Sequence, residues 1–259
     1  MHNVTLITGA SSGLGKDFAY EYAKAKQDLV LIARRIDRLE LIKSDLESLY
    51  GITVLIQQVD LADSKQVAAF IANWDPSLLI YRLINNAGFG YHGAFETYPN
   101  ETQQDMIEVN VTALTRLCNF VIPSMKEHKA GEILNVASMA AFTPGPYMAE
   151  YYATKAYVLS LSMALHEELK PFGIKVSALC PGPTHTEFGK VASYKNDSGV
   201  QSALSMSSLP VVKMSIKALE KNRSVAVPGT SNKILRVLMK FVPKRLSAKL
   251  IKNIQKQRF

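Results

Sequence analysis

The sequence predicts a single α/β domain built on a doubly wound parallel sheet, and three features predict it. Short runs rich in Val, Ile and Leu alternate with longer stretches of helical periodicity. Most of those runs are continuously apolar, as strands covered on both faces are, and lack the in-out alternation of a half-exposed strand. Repeated β-then-α order requires crossover helices, which right-handed connections place on both faces of one sheet. The 259 residues suit one such domain.

Each element has its own signal. Residues 3–8 (NVTLIT) form the first expected strand, and the Gly-rich turn after them opens a helix over 14–26. A second apolar run, 28–33, precedes a helix over 36–50 that Gly51 should stop. The third strand is expected at 52–58, with Asp63 starting a helix over 63–73. The fourth strand, 79–85, is followed by Pro99-Asn100-Glu101, a start signal for a long helix over 101–128 with Gly131 at its end. A fifth strand (131–137), a helix over 150–170 closed by Gly173, a sixth strand (174–180) and a short seventh (223–227) complete the core. No repeat or linker interrupts 1–259; residues 1–186 read as the cofactor and catalytic core, 187–208 as a substrate loop or lid, and 229–259 as a basic helical extension.

Composition narrows the classes. An apolar fraction of 47% with 20% charged residues is that of a folded globule. No basic region precedes the first apolar run, and no apolar run reaches the roughly 18 to 20 residues of a membrane helix, so neither a secretory signal nor a membrane span is expected. Cys118 and Cys180 lack motif spacing, which argues against a disulfide framework or a cysteine metal site and for a reducing cytoplasm. No metal is expected.

In a doubly wound sheet, ligands sit beyond the C-terminal strand ends where strand order reverses, so those positions carry the functional reading. After strand one, TGASSGLGKD raises three phosphate-binding patterns. A triphosphatase loop needs Ser or Thr after Gly15-Lys16, where Asp17 stands; the G-x-G-x-x-G fingerprint meets Phe18 in place of its third glycine. T-G-x-x-x-G-x-G is matched by Thr8, Gly9, Gly13 and Gly15, with Ser11, Ser12 and Leu14 lining the same turn, and offers a pyrophosphate main-chain N–H groups at a helix N-terminus. After strand two, where an acid would grip a ribose diol, stand Arg34 and Arg35; guanidinium groups pair bidentately with a 2′-phosphate, so NADP(H) is favoured, with Arg38 and Lys16 as weaker contacts. After strand three, Asp60 and Leu61 suit an adenine, or Asp60 caps a helix. After strand four, Asn86, Ala87 and Gly88 let main chain approach a ligand closely. After strand five, Ser138 precedes Tyr151 and Lys155, an i, i+4 pair on one helix face in which an ammonium lowers a phenol's pKa. The same spacing recurs at Tyr20/Lys24 and Tyr22/Lys26, far from the strand ends, where amphipathic surface decoration accounts for it. After strand six come Pro181, Gly182, Thr184 and Thr186, suited to a carboxamide or to a plain Pro-Gly loop with a helix cap.

Taken together, TGASSGLG, DL (60–61), NNAG (85–88), Asn110, Ser138, YYATK (151–155) and PGPTHT (181–186) resemble the short-chain dehydrogenase/reductase superfamily, from residue 4 to about 186. The resemblance implies a Rossmann-like oxidoreductase that interconverts a carbonyl and an alcohol with NADP(H). It implies Tyr151 as general acid/base, Lys155 as the group lowering its pKa and holding the nicotinamide ribose, and Ser138 as the orienter of the carbonyl. It further implies Asn110 as the kink and water anchor of a proton relay, Thr186 on the carboxamide, and a homo-oligomer, dimer or tetramer, through the 101–128 and 150–170 helices. Thr184 departs from the Val or Ile more usual there. A binding protein or regulator of the same fold without turnover is the rival, weighed down by the complete set of four residues.

The charge is uneven: residues 1–220 carry a net −3, while 221–259 carry 11 basic and no acidic side chains. Leu246, Leu250 and Ile254 recur every fourth residue among Lys244, Arg245, Lys249, Lys252 and Lys256. A docked helix whose apolar stripe covers the substrate pocket or a subunit interface is the favoured expectation; peripheral contact with an anionic membrane is the alternative. No nucleic-acid-binding fold accompanies the charge, so no nucleic acid is expected.

Overall fold

The structure is a computed structural model of the chain and describes residues 2–192 and 205–256; most of the expected substrate loop, 193–204, lies outside the described residues. The strands are β1 (His2–Thr8), β2 (Asp28–Ala33), β3 (Val54–Gln58), β4 (Leu78–Asn85), β5 (Gly131–Val136), β6 (Ile174–Leu179), β7 (Thr184–His185), β8 (Met206–Ser207) and β9 (Val225–Ala226). Seven form one sheet in the order β3-β2-β1-β4-β5-β6-β9, every pairing parallel, and β7 pairs with β8 apart from it. The chain works outward from β1 to β3, then returns to the other side of β1 for β4, so strand order reverses between β1 and β4. In a doubly wound sheet that reversal, at the C-terminal strand ends, is where a ligand crevice belongs.

The helices are α1 (Gly13–Lys24), α2 (Ile36–Tyr50), α3 (Ser64–Ala72), α4 (Asn100–Ile107), α5 (Leu114–Glu127), α6 (Ala149–Leu169), α7 (Phe188–Val191), α8 (Ser208–Glu220), α9 (Thr230–Met239) and α10 (Lys244–Lys256). Successive strand residues feed opposite faces, as the two-residue pleat requires. Leu6 and Ile32 pack with Phe70, Leu117, Val121 and Val158 from α3, α5 and α6, whereas Ile7 and Leu31 pack with Phe18, Leu39, Leu46 and Val211 from α1, α2 and α8. Both faces are therefore covered, as the continuous apolar runs predict.

Helix ends follow the local chemistry. Asp63 accepts from the N–H groups of Lys65 and Gln66 and from the Gln66 side-chain amide, a cap that starts α3. Asp60 does not cap a helix; it accepts from the Ala62 N–H in a local turn. Gly51, at φ +61°, stops α2. Gly131 is not a helix stop: α5 ends earlier, with Lys129 taking the positive φ, and Gly131 opens β5 because a Cβ there would meet Met125 at 2.5 Å. The single helix expected over 101–128 is broken by a π-helical turn, Glu108–Ala113, between α4 and α5.

Candidate active site

The crevice is lined by the loop after β1, which the end of β4 holds in place. Thr8 Oγ1 accepts from the N–H groups of Asn86 and Ala87, both at 2.9 Å, while the Asn86 amide donates back to the carbonyls of Thr8 (2.9 Å) and Gly9 (3.2 Å). Packing this close leaves no room for side chains: a Cβ on Gly15 would lie 2.3 Å from the Gly9 carbonyl and 2.5 Å from the Asn86 amide, and one on Gly9 would lie 2.9 Å from Ala87. The N-terminus of α1 consequently faces the crevice through bare main chain, with Gly13 beneath Thr186. Leu14 is half-buried against the α1 side of the core. Asp17 is engaged elsewhere, accepting from Ser208 at the start of α8.

Beside this loop lies a cluster of arginines. Arg35 donates to Ser11 Oγ (3.1 and 3.3 Å), Ser12 Oγ (2.8 Å) and Glu187 (2.8 Å); Arg38 donates to the other carboxylate oxygen of Glu187, also at 2.8 Å. These hydrogen bonds hold the Glu187 carboxyl down at about 2. Arg34 stands apart and exposed, its carbonyl receiving the Gln58 amide. Lys16 lies over the Tyr20 ring, 5.6 Å from its centre. The arrangement therefore joins Arg35 with Arg38, and a carboxylate already bridges the two.

Residues from four further segments meet above β4 and β5. Tyr151 and Lys155 lie in the first two turns of α6, both buried, with the Lys155 ammonium 5.9 Å from the Tyr151 ring centre and donating to the Val136 carbonyl at 2.8 Å. Burial lowers the Lys155 pKa to about 8. Asn110, in the π turn, clamps the Phe89 main chain from both sides, accepting from its N–H (3.0 Å) and donating to its C=O (2.8 Å), and also donates to Thr154. A Cβ on Gly88 would touch Asn110 Oδ1 at 2.9 Å and the Lys155 ammonium at 3.0 Å, so both groups converge on that glycine. Ser138 Oγ accepts from the Ala140 N–H, which caps the short 3-10 turn Met139–Phe142 and leaves the hydroxyl proton to donate. Around Tyr151 lie Phe89, Tyr91, Met106, Met148, Tyr152 and Phe188, an apolar and aromatic wall. A phenol in such a wall beside a buried ammonium can pass one proton near neutral pH.

Past β6, the Pro181 carbonyl accepts from the Met139 N–H and Gly182 packs against Asn232 of α9. Thr184 donates to the Gly182 carbonyl, and Thr186 accepts from the Phe188 N–H as a local cap. Asp60 stays half-buried at the end of β3, whereas the Leu61 side chain is buried in the core. The other Tyr-x-x-x-Lys pairs are not all surface decoration. Tyr20 donates to Asp45 of α2, but Tyr22 is buried, stacked on Phe18 with the Arg82 guanidinium over its ring, and burial raises its pKa. Sequence reasoning missed Glu187 and Thr154. Thr154 had a local signal, three residues after Tyr151 on the same helix face; Glu187 had none, because its partners lie about 150 residues away.

The extension docks, but not by its apolar stripe. The Gln255 carbonyl accepts from the His92 ring (3.0 Å) and its side-chain amide donates to Tyr152 (3.3 Å), so α10 buries Ser247 and Gln255 and leaves Leu246, Leu250 and Ile254 exposed. The expectation that this stripe covers the substrate pocket is thereby corrected; its alternative, a subunit interface, concerns a second chain. Paired polar contacts fix the helix rotation, and the apolar face points away.

The curated very-long-chain 3-oxoacyl-CoA reductase of Anas platyrhynchos is 31% identical over 191 residues, 72% of this chain and 61% of that protein. This chain thus spans about three-fifths of the length of that relative. A short-chain dehydrogenase from Sphingobium yanoikuyae, solved in complex with NADPH, is 33% identical with a TM-score of 0.80, covering 94% of this chain and 97% of the other. The bulky-bulky ketone specific alcohol dehydrogenase from Comamonas testosteroni is 29% identical with a TM-score of 0.78, covering 94% and 96%. The short chain dehydrogenase family model matches residues 3–197, across the glycine loop, the Asn110 turn and the Tyr151/Lys155 helix, and the chain belongs to the short-chain dehydrogenase/reductase superfamily of oxidoreductases.

Proposed function

We propose that this protein interconverts a carbonyl and an alcohol with NADP(H), and that the observation carrying this reading is the convergence of Asn110, Tyr151 and Lys155 beside a glycine-rich loop at the strand reversal. The site fits a dinucleotide on its own geometry. Gly9 and Gly15 pack so closely on each other and on the end of β4 that a Cβ would clash, and this tight turn at the N-terminus of α1 suits a pyrophosphate on main-chain N–H groups. Ser11, Ser12, Arg35 and Arg38 supply the hydroxyl and guanidinium donors that a 2′-phosphate needs, which supports NADP(H) over NAD(H). In this reading Asp60, Asn86, Ala87, Gly88, Gly182, Thr184 and Thr186 supply the remaining cofactor contacts.

When bound, the nicotinamide gives or takes the hydride. The chain manages the proton. Ser138 donates to the carbonyl oxygen and orients it; Tyr151 gives its phenolic proton to the oxygen as negative charge develops there, or takes it back in the reverse direction. Lys155, as a cation, favours the phenolate that remains, and Asn110 holds the Phe89 turn and α6 in register around it. The aromatic wall around Tyr151 suits a bulky or long apolar carbonyl compound and excludes water from the transfer. Both cysteines are free and buried, which supports work in the cytoplasm, and exposed Ile107, Tyr157 and Met163 on α4 and α6 support homo-oligomerisation through those helices. A screen of aliphatic and aromatic aldehydes and ketones, with NADPH and NADH side by side, tests the reading: turnover favouring NADPH is expected. NADPH binding with no oxidation across the panel would instead assign a regulator or scaffold.

A further inference from the structure

We infer that α9 and α10 form a docking surface for a bilayer bearing anionic lipid headgroups. The two helices share one unusual arrangement. In α9 and the turn after it, Ile234, Leu235, Val237, Leu238 and Phe241 are exposed, Phe241 by 81%, and Asn232 is the buried residue. In α10, Leu246, Leu250 and Ile254 are about half exposed while Ser247 and Gln255 are buried. A helix that covers a core does the reverse. Here buried polar residues attach each helix to the domain, joined in α10 by the half-buried Ala248 and Ile251, and the larger share of the apolar side chains points outward.

Charge decides what covers that face. At 100° per residue, Lys233 and Lys240 border the exposed stripe of α9 on one side, and in α10 Lys249 borders the stripe while Lys256, Arg245 and Lys252 continue one basic band around the exposed surface, with no acidic side chain from 221 to 259. A second copy of the chain meeting this face across a two-fold axis would set lysines against lysines with no acid to pair them. An anionic bilayer satisfies both parts at once, taking apolar side chains at the level of the acyl boundary while the lysine stems reach back to the headgroups. No described helix is long and apolar enough to cross a membrane, so the contact lies on the surface. The polar side of α10 meets the catalytic wall through His92 and Tyr152, which places the docking face beside the substrate pocket.

The test is flotation of the full chain with neutral phosphatidylcholine vesicles and with vesicles containing phosphatidylglycerol, at low and high salt. Binding is expected to the anionic vesicles only, and to fall as salt screens the charges. Leu250→Ser with Ile254→Ser removes the apolar contact, and Lys249→Glu with Lys252→Glu is expected to lower partitioning by at least about tenfold; since all four side chains are exposed, unchanged thermal melting of each variant verifies folding. No flotation at low salt, or equal flotation with neutral vesicles, would overturn the proposal. So would self-association that Leu250→Ser with Ile254→Ser abolishes in the absence of vesicles, an outcome that assigns the face to a second copy.

Discussion

Lys155 donates to the Val136 carbonyl from a buried position, and burial brings its pKa down to about 8. An unfolded chain holds the same proton up to roughly pH 10.4. Between those values the unfolded state binds more protons than the folded one, so this residue's contribution to stability rises as pH goes from about 8 toward about 10.4. Lys155→Met removes a buried charge at neutral pH and a neutral amine at high pH. Its stability relative to wild type is therefore expected to be more favourable at pH 7 than at pH 10, in urea unfolding without cofactor; an identical difference at both pH values would contradict the burial argument. Glu187 acts at the other end of the site. It occupies Arg35 and Arg38, the groups proposed to take a 2′-phosphate, and must release them for NADPH. Both ion pairs are exposed enough for solvent to screen them, so each is weak. Glu187→Gln is expected to tighten NADPH binding roughly two- to tenfold by calorimetry and leave NADH unchanged; weaker NADPH binding would show that Glu187 supports the site. Tyr151 and Lys155 were legible in sequence because four residues of helix set their relation. Arg38 was read as a weaker phosphate contact, but Glu187 and its pairing with the arginines were not legible, since that pairing joins segments that only the fold brings together.

Among the elements, two glycines separate conformation from space. Gly51 ends α2 at φ +61° with nothing within 4 Å of where a Cβ would sit, whereas Gly15 has an ordinary helical backbone and no free volume at all. Gly51→Ala is expected to cost about 1–2 kcal/mol of stability through its left-handed backbone and to leave cofactor binding intact. Gly15→Ala must push the loop off Asn86, so NADPH binding is expected to be lost while much of the fold survives; retained binding in a titration would place the dinucleotide elsewhere. Apolar periodicity predicted the seven sheet strands and α1, α2, α3 and α6 to within a few residues, since buried parallel strands and amphipathic helices write their faces locally, but it named no helix at Ser208–Glu220, where α8 packs on the core. It gave one helix over 101–128 because the π turn leaves the pattern unbroken: Asn110 is drawn inward by the Phe89 main chain, a contact made across 21 residues. It likewise expected the apolar stripe of α10 to cover the substrate pocket or a subunit interface, whereas the paired Gln255 contacts turn that stripe away from the pocket among the described residues.

Across the whole molecule, stability and chemistry lie at opposite ends of the sheet. Near the N-terminal strand ends, Thr5, Arg82, Glu132 and Lys175 sit in register on β1, β4, β5 and β6, with Glu132 bridging Arg82 at 2.6 Å and Lys175 at 3.1 Å. Arg82 and Glu132 are buried, so Glu132→Ala leaves an uncompensated guanidinium and is expected to lower stability by about 3–5 kcal/mol. Activity per folded molecule should be unchanged, because the catalytic groups sit at the C-terminal ends; a loss confined to turnover, with the denaturation midpoint kept, would contradict that division. The most direct measurement compares wild type with Tyr151→Phe in single-turnover oxidation of NADPH, using the best carbonyl from the screen and titrating NADPH in parallel. The account predicts a rate lower by about 10²- to 10⁴-fold with NADPH affinity nearly unchanged; full turnover by Tyr151→Phe would contradict it.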